Sequence, residues 1–77
     1  MNQINVSVEW QRLCDDYEKA QANHFRALST VTQKFAAIGR GTSQTNPTND
    51  ELSDFESTWI EWEAVKKKMD AFIKQNV

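Results

Sequence analysis

Apolar positions along this chain recur at alternating spacings of three and four in two stretches, separated by one polar break. The first stretch runs Trp10, Cys14, Tyr17, Gln21, His24, Leu28, Val31, Phe35 and Ile38, and the second runs Leu52, Phe55, Trp59, Trp62, Val65, Met69 and Phe72. That period places one stripe along one side of an α-helix, whereas a half-buried strand would alternate by two. Neither stretch contains Gly or Pro. The pattern predicts an all-α chain with a helix over about residues 6–38, a loop over 39–47 and a second helix over about 48–75.

The break holds both glycines and the only proline in Gly39-Arg40-Gly41-Thr42-Ser43-Gln44-Thr45-Asn46-Pro47. Gly39 directly follows the apolar Ile38 and suits a left-handed helix cap, and Pro47 disfavours helix at Asn46. Thr48 and Glu51 then form Thr-x-x-Glu, the reciprocal capping box in which each side chain satisfies an orphan backbone N–H.

Charge adds a direction. Formal charges total −3 over residues 1–18 and +4 over 19–45, then −6 over 46–63 and +3 over 64–77. A chain folded back at its middle lays each acidic block beside a basic one, while a parallel pairing would stack like on like. Acidic starts and basic ends also suit the dipole of each helix alone. The expected fold is therefore a two-helix antiparallel hairpin in one domain, residues 1–77. Its facing pairs would be Phe35 with Leu52, Val31 with Phe55, Leu28 with Trp59, His24 with Trp62, Gln21 with Val65, Tyr17 with Met69 and Cys14 with Phe72. The same register sets Lys34 near Glu51 and Asp54, Arg26 near Glu61, and Glu18 near Lys68. Exposed pairs of this kind contribute only ~0–1 kcal/mol each, so they select orientation more than they stabilise.

Length changes the picture again. A 77-residue chain buries only about 60% of its unfolded surface, and two helices share a single contact seam. A further apolar set, Leu13, Ala20, Phe25, Ala27 and Ala36 with Ile60, Ala64, Ala71 and Ile73, lies beside the predicted seam. Left bare it would be an adhesive patch. The expectation is that it buries a second hairpin, giving a homodimeric four-helix bundle, or else a different protein. Aromatic side chains dominate such interfaces, so Phe25, Phe55, Trp59 and Trp62, with Leu13 and Ile60, are the candidate interaction residues.

Chemistry is sparse. His24, the only histidine, has no carboxylate or thiolate among its expected neighbours and reads as a packed core residue. Cys14 has no partner cysteine and reads as a small buried hydrophobe. Asp50, Glu51, Asp54 and Glu56 gather at a helix start, where capping and the dipole account for them. A di-metal bundle needs Glu-x-x-His, and three residues before His24 stands Gln21. No serine has a base, and Gly39-Arg40-Gly41 is a lone turn tripeptide. No enzyme activity, cofactor, metal or small-molecule substrate is expected.

A net charge of −2 with a pI near 5.2 argues against a chain built to neutralise a phosphate backbone, and Lys66, Lys67 and Lys68 suit a solvated helix end. With no secretory leader and no long apolar run, the expected address is cytoplasmic and off the membrane. Asn46-Pro47-Thr48-Asn49 followed by Leu52 and Phe55 resembles the turn of type III secretion needle subunits, over a short span that capping physics would itself choose; no functional residue carries over. The expected function is a non-enzymatic protein-protein interaction or assembly module, such as an adaptor, a small chaperone or a structural subunit. The alternatives are a secretion-system subunit or secreted hairpin, and a dimeric RNA-binding hairpin with Arg26, Lys34 and Arg40 on one exposed face.

Overall fold

A computed structural model describes the backbone of residues 2–77 and the side chains of residues 6–77. It contains two helices, α1 over Asn2–Gly39 and α2 over Asn49–Gln75, which pack against each other. They are antiparallel: Trp10 near the start of α1 meets Phe72 near the end of α2, and Lys34 late in α1 meets Glu51 in the first turn of α2. The hairpin is a rod of 60 × 18 × 14 Å. α1 begins at Asn2, about a turn earlier than expected. No Gly or Pro stands in Gln3-Ile4-Asn5-Val6 to stop it.

The loop end differs from expectation at one residue. Gly39 is still helical, and the left-handed position is Gly41, with φ of 75°. Gly41 N donates to Ile38 O and Thr42 N to Ala37 O, both at 3.0 Å, the crossed pair of bonds that closes a Schellman motif. The Thr42 hydroxyl also donates to Ala37 O. At the start of α2 the capping box forms as expected: Glu51 N donates to Thr48 Oγ1 at 3.1 Å, and Thr48 N donates to Glu51 Oε1 at 2.8 Å.

Half of the expected seam stands, with His24 and Val31 buried on α1, and at the alternate positions the seam is rotated by one residue, so that Leu13, Ala20 and Ala27 take the places expected of Cys14, Gln21 and Leu28, and Thr58 that of Trp59. On α1 the buried stripe is Leu13, Ala20, His24, Ala27 and Val31, and Leu28 and Phe35 stand exposed at its edge. On α2 Thr58 is the buried position, and Leu52 and Trp59 are exposed. Thus Leu13, Ala20 and Ala27, read from the sequence as a separate surface, line the helix contact itself. The cause is packing geometry: small side chains at the contact let two helices approach closely, while bulky ones fit better along its flanks. Of the expected layers, His24 on Trp62 stands, with ring centroids 5.5 Å apart.

Of the ion pairs foreseen, Lys34–Glu51 is present, but Arg26 joins Asp54 at 3.2 Å instead of Glu61. No Glu18–Lys68 pair forms among the described residues. Farther from the loop the facing residues are displaced along α2 as well, Trp10 meeting Phe72 where Cys14 was expected and Tyr17 meeting Trp62 where Met69 was expected.

Candidate interaction face

The buried centre of the hairpin is polar. His24, 2% exposed, lies with Nδ1 3.1 Å from Thr58 Oγ1. The Thr58 hydroxyl also sits 2.9 Å from Asp54 O and 3.0 Å from Phe55 O. One hydroxyl has one proton, which the carbonyls share, so the oxygen accepts from His24 and the network assigns the imidazole proton to Nδ1. Around the ring stand Phe55, Trp59 and Trp62, with centroids at 5.0, 5.1 and 5.5 Å. His24 is thus the packed core histidine that the sequence suggests, walled by aromatic rings with no carboxylate in its shell.

Those rings carry the core outward to one side of the rod. Trp62 meets Phe25 edge-on at 5.7 Å and Trp59 edge-on at 6.2 Å. Lys66 Nζ lies 4.0 Å from the Trp62 ring centroid, held also by Glu63 at 3.0 Å, a favourable cation–π placement. Phe25 is 50% exposed and Trp59 46%, so the cluster is open at its outer edge. Leu28 follows Phe25 along α1 by three and Phe35 follows Leu28 by seven, and Leu52 precedes Trp59 on α2 by seven, so each lies on the same side. All three are exposed, with Phe35 at 53%. The result is one apolar face that runs from Phe25 and Trp62 towards the loop.

The candidate interaction residues divide accordingly. Phe25, Trp59, Trp62 and Phe55 come together in the His24 cluster. Leu13 is buried at 7% in the helix contact, and Ile60 is exposed on another side of α2. Leu28, Phe35 and Leu52, which periodicity alone places in the seam, belong to the open face. The signal that distinguishes the two stripes is the run of small residues, Ala20 and Ala27, beside the large ones.

The other side of the hairpin has a different character. A shallow groove there has Ala20, Ala64 and Val65 among its lining, together with Asp16, Lys19, Asn23, Glu61 and Lys68, so acids and bases alternate with no net sign. Two of the three cations that an RNA-binding face would need, Arg26 and Lys34, are engaged with acids of α2.

The titration of Glu51 is displaced downward. The Lys34 ammonium donating to its carboxylate, and then the Thr48 N–H, hold it below the ordinary carboxylate value. Among the described residues no group of three or more His, Cys, Asp or Glu side chains is placed to hold a metal ion, and no helix is long and apolar enough to cross a membrane. Comparison with protein-family models, curated proteins and solved structures finds no match for this chain.

Proposed function

We propose that this chain is a non-enzymatic association module, an adaptor, small chaperone or assembly subunit, that works through the face built by Phe25, Leu28, Phe35, Leu52 and Trp59. One observation supports it above the rest: five large apolar side chains, each between 38% and 53% exposed, share one side of a rod whose other groove is evenly charged. Scattered exposed apolar residues are ordinary, but a contiguous set around two tryptophans has the composition of an interface centre. Self-association into a four-helix bundle is the simplest form of this activity, since a second hairpin of the same kind would cover the face.

Site-specific photocrosslinking in the native cell tests the reading. A benzoylphenylalanine at Phe25 or Phe35 is expected to give discrete protein adducts, and one at Lys19 or Asn23 on the grooved side is expected to give few. Adducts that are absent from the apolar face, or equal from both faces, would overturn it.

A further inference from the structure

We infer that the occupant of the apolar face is a second copy of this chain, seated face to face with both loops at the same end of the bundle. The inference rests on the association reading above and adds the partner and its orientation. Surface area is the first argument. The chain exposes 5930 Å², whereas a compact monomer of its 8.9 kDa exposes about 4,800 Å². The excess, roughly 1,100 Å², is more than the ~800 Å² that each partner contributes to a stable interface of standard size. One further hairpin of the same dimensions is enough to remove it.

Charge selects between the two twofold arrangements. The open face lies in the loop-proximal half, from Phe25 to Phe35 on α1 and from Leu52 to Trp62 on α2. If the twofold axis crossed the helices at the centre of this face, the overlap would set the basic half of each α1, residues 19–45 at +4 in sum, on its own copy. It would likewise set the acidic first half of each α2, residues 46–63 at −6, on its own copy. Like charges would meet along both helices. A twofold axis parallel to the helices instead lays α1 of one copy antiparallel to α2 of the other. Residues 19–45 at +4 then oppose residues 46–63 of the neighbour, and the complementarity already used inside each hairpin is repeated between them. The same arrangement keeps the whole face covered: Phe25, Leu28 and Phe35 meet the neighbouring Trp62, Trp59 and Leu52 layer by layer. An axis across the helices would overlap only the loop halves.

Two measurements on the purified full chain decide it. Sedimentation equilibrium is expected to show a dimer with a Kd of about micromolar or tighter. Phe25→Glu and Phe35→Glu, each checked for retained helicity by circular dichroism, should each weaken it by roughly 30-fold or more. Ile60→Glu should leave the Kd within a few-fold. Spin labels on Gln44→Cys in a Cys14→Ser background then report the orientation. Loops at the same end lie ~10–30 Å apart across neighbouring helices, and loops at opposite ends of a face-centred overlap lie ~40 Å apart. The longer distance would overturn the orientation. A dimer sensitive to Ile60→Glu and indifferent to both Phe variants would overturn the face. A wild type that stays monomeric at high micromolar concentration would overturn the second copy as occupant. If photocrosslinks at Phe35 to another protein persisted in the cell, the association reading would survive that result; if they too were missing, both would fall.

Discussion

Glu51 is one carboxylate with two tasks, because Oε1 accepts from Thr48 N, which closes the first turn of α2, and from Lys34 Nζ, which ties that turn to the end of α1. Both donors favour the ionised form, so its folded pKa lies below the ordinary value of 4.5. The sign follows from linkage: the stabilisation is complete above the unfolded value and is lost as pH falls through the lower folded one. Acid unfolding followed by circular dichroism should therefore show part of its pH dependence beginning near 4.5 and completing below it. Glu51→Gln should remove that part while retaining helicity at neutral pH; an unchanged acid limb would mean that the clamp contributes nothing in solution. The two glycines give a paired test at the same end of the rod. Gly41 has φ of 75°, a region in which a β-carbon costs ~1–2 kcal/mol. Gly39 is helical with open space where a β-carbon would stand, so alanine there should gain ~0.5–1 kcal/mol. Urea melts of Gly41→Ala and Gly39→Ala should shift in opposite directions, and the opposite order would return the cap to Gly39.

At the scale of the helices, the buried contact combines Ala20, Ala27, His24 and Thr58 with Leu13 and Val31, and the exposed large side chains Leu28, Phe35, Leu52 and Trp59 flank it. Leu13 lies inside it and Leu28 at its edge, so truncation distinguishes the observed seam from the rotated one. In a Phe25→Glu background, expected to be monomeric under the proposed pairing, Leu13→Ala should cost ~2–4 kcal/mol, and Leu28→Ala, being 38% exposed, under ~1.5 kcal/mol. Equal losses would favour the seam drawn from the sequence. The polar pair across the contact has its own signature. Thr58→Val removes the acceptor of the His24 N–H and should cost ~1–3 kcal/mol, because a buried donor is left alone. Adding His24→Leu should recover part of that loss, as a double-mutant cycle detects. Much of this level was legible in the sequence: the two helices, the break, the capping box, the antiparallel sense and the Lys34–Glu51 pair. Each depends on local chemistry or on charge summed over many residues. The rotation was not legible, because residues 13, 20 and 27 and residues 14, 21 and 28 are both heptad stripes, and choosing the bulkier one favours area per residue. Helix packing instead favours close approach, which Ala20 and Ala27 permit. The polar side chain of Thr58 concealed its burial for a related reason: its hydroxyl is satisfied by its own helix and by His24, a pairing that appears only once the register is fixed.

The whole molecule is a rod whose inter-helix contact is narrow, and its ion pairs orient it more than they hold it. The two that join the helices leave Arg26 and Asp54 largely in solvent and Lys34 and Glu51 partly so, where such pairs contribute little and weaken with salt. Most of the stability must then come from apolar area, and in a hairpin much of that area lies on the open face. Face-to-face pairing would make folding and association one process, in which the dimer binds the folded state only and raises the transition with concentration. The wild-type melting temperature should climb by several degrees between low and high micromolar protein, and added salt should move it little. Phe25→Glu should melt lower and at a temperature independent of concentration, since its hairpin stands alone. Calorimetry across a hundredfold concentration range reads both behaviours together. A wild-type transition fixed in temperature over that range would show that the seam around His24 alone holds the fold, and the face from Phe25 to Leu52 would then have to be explained without self-association.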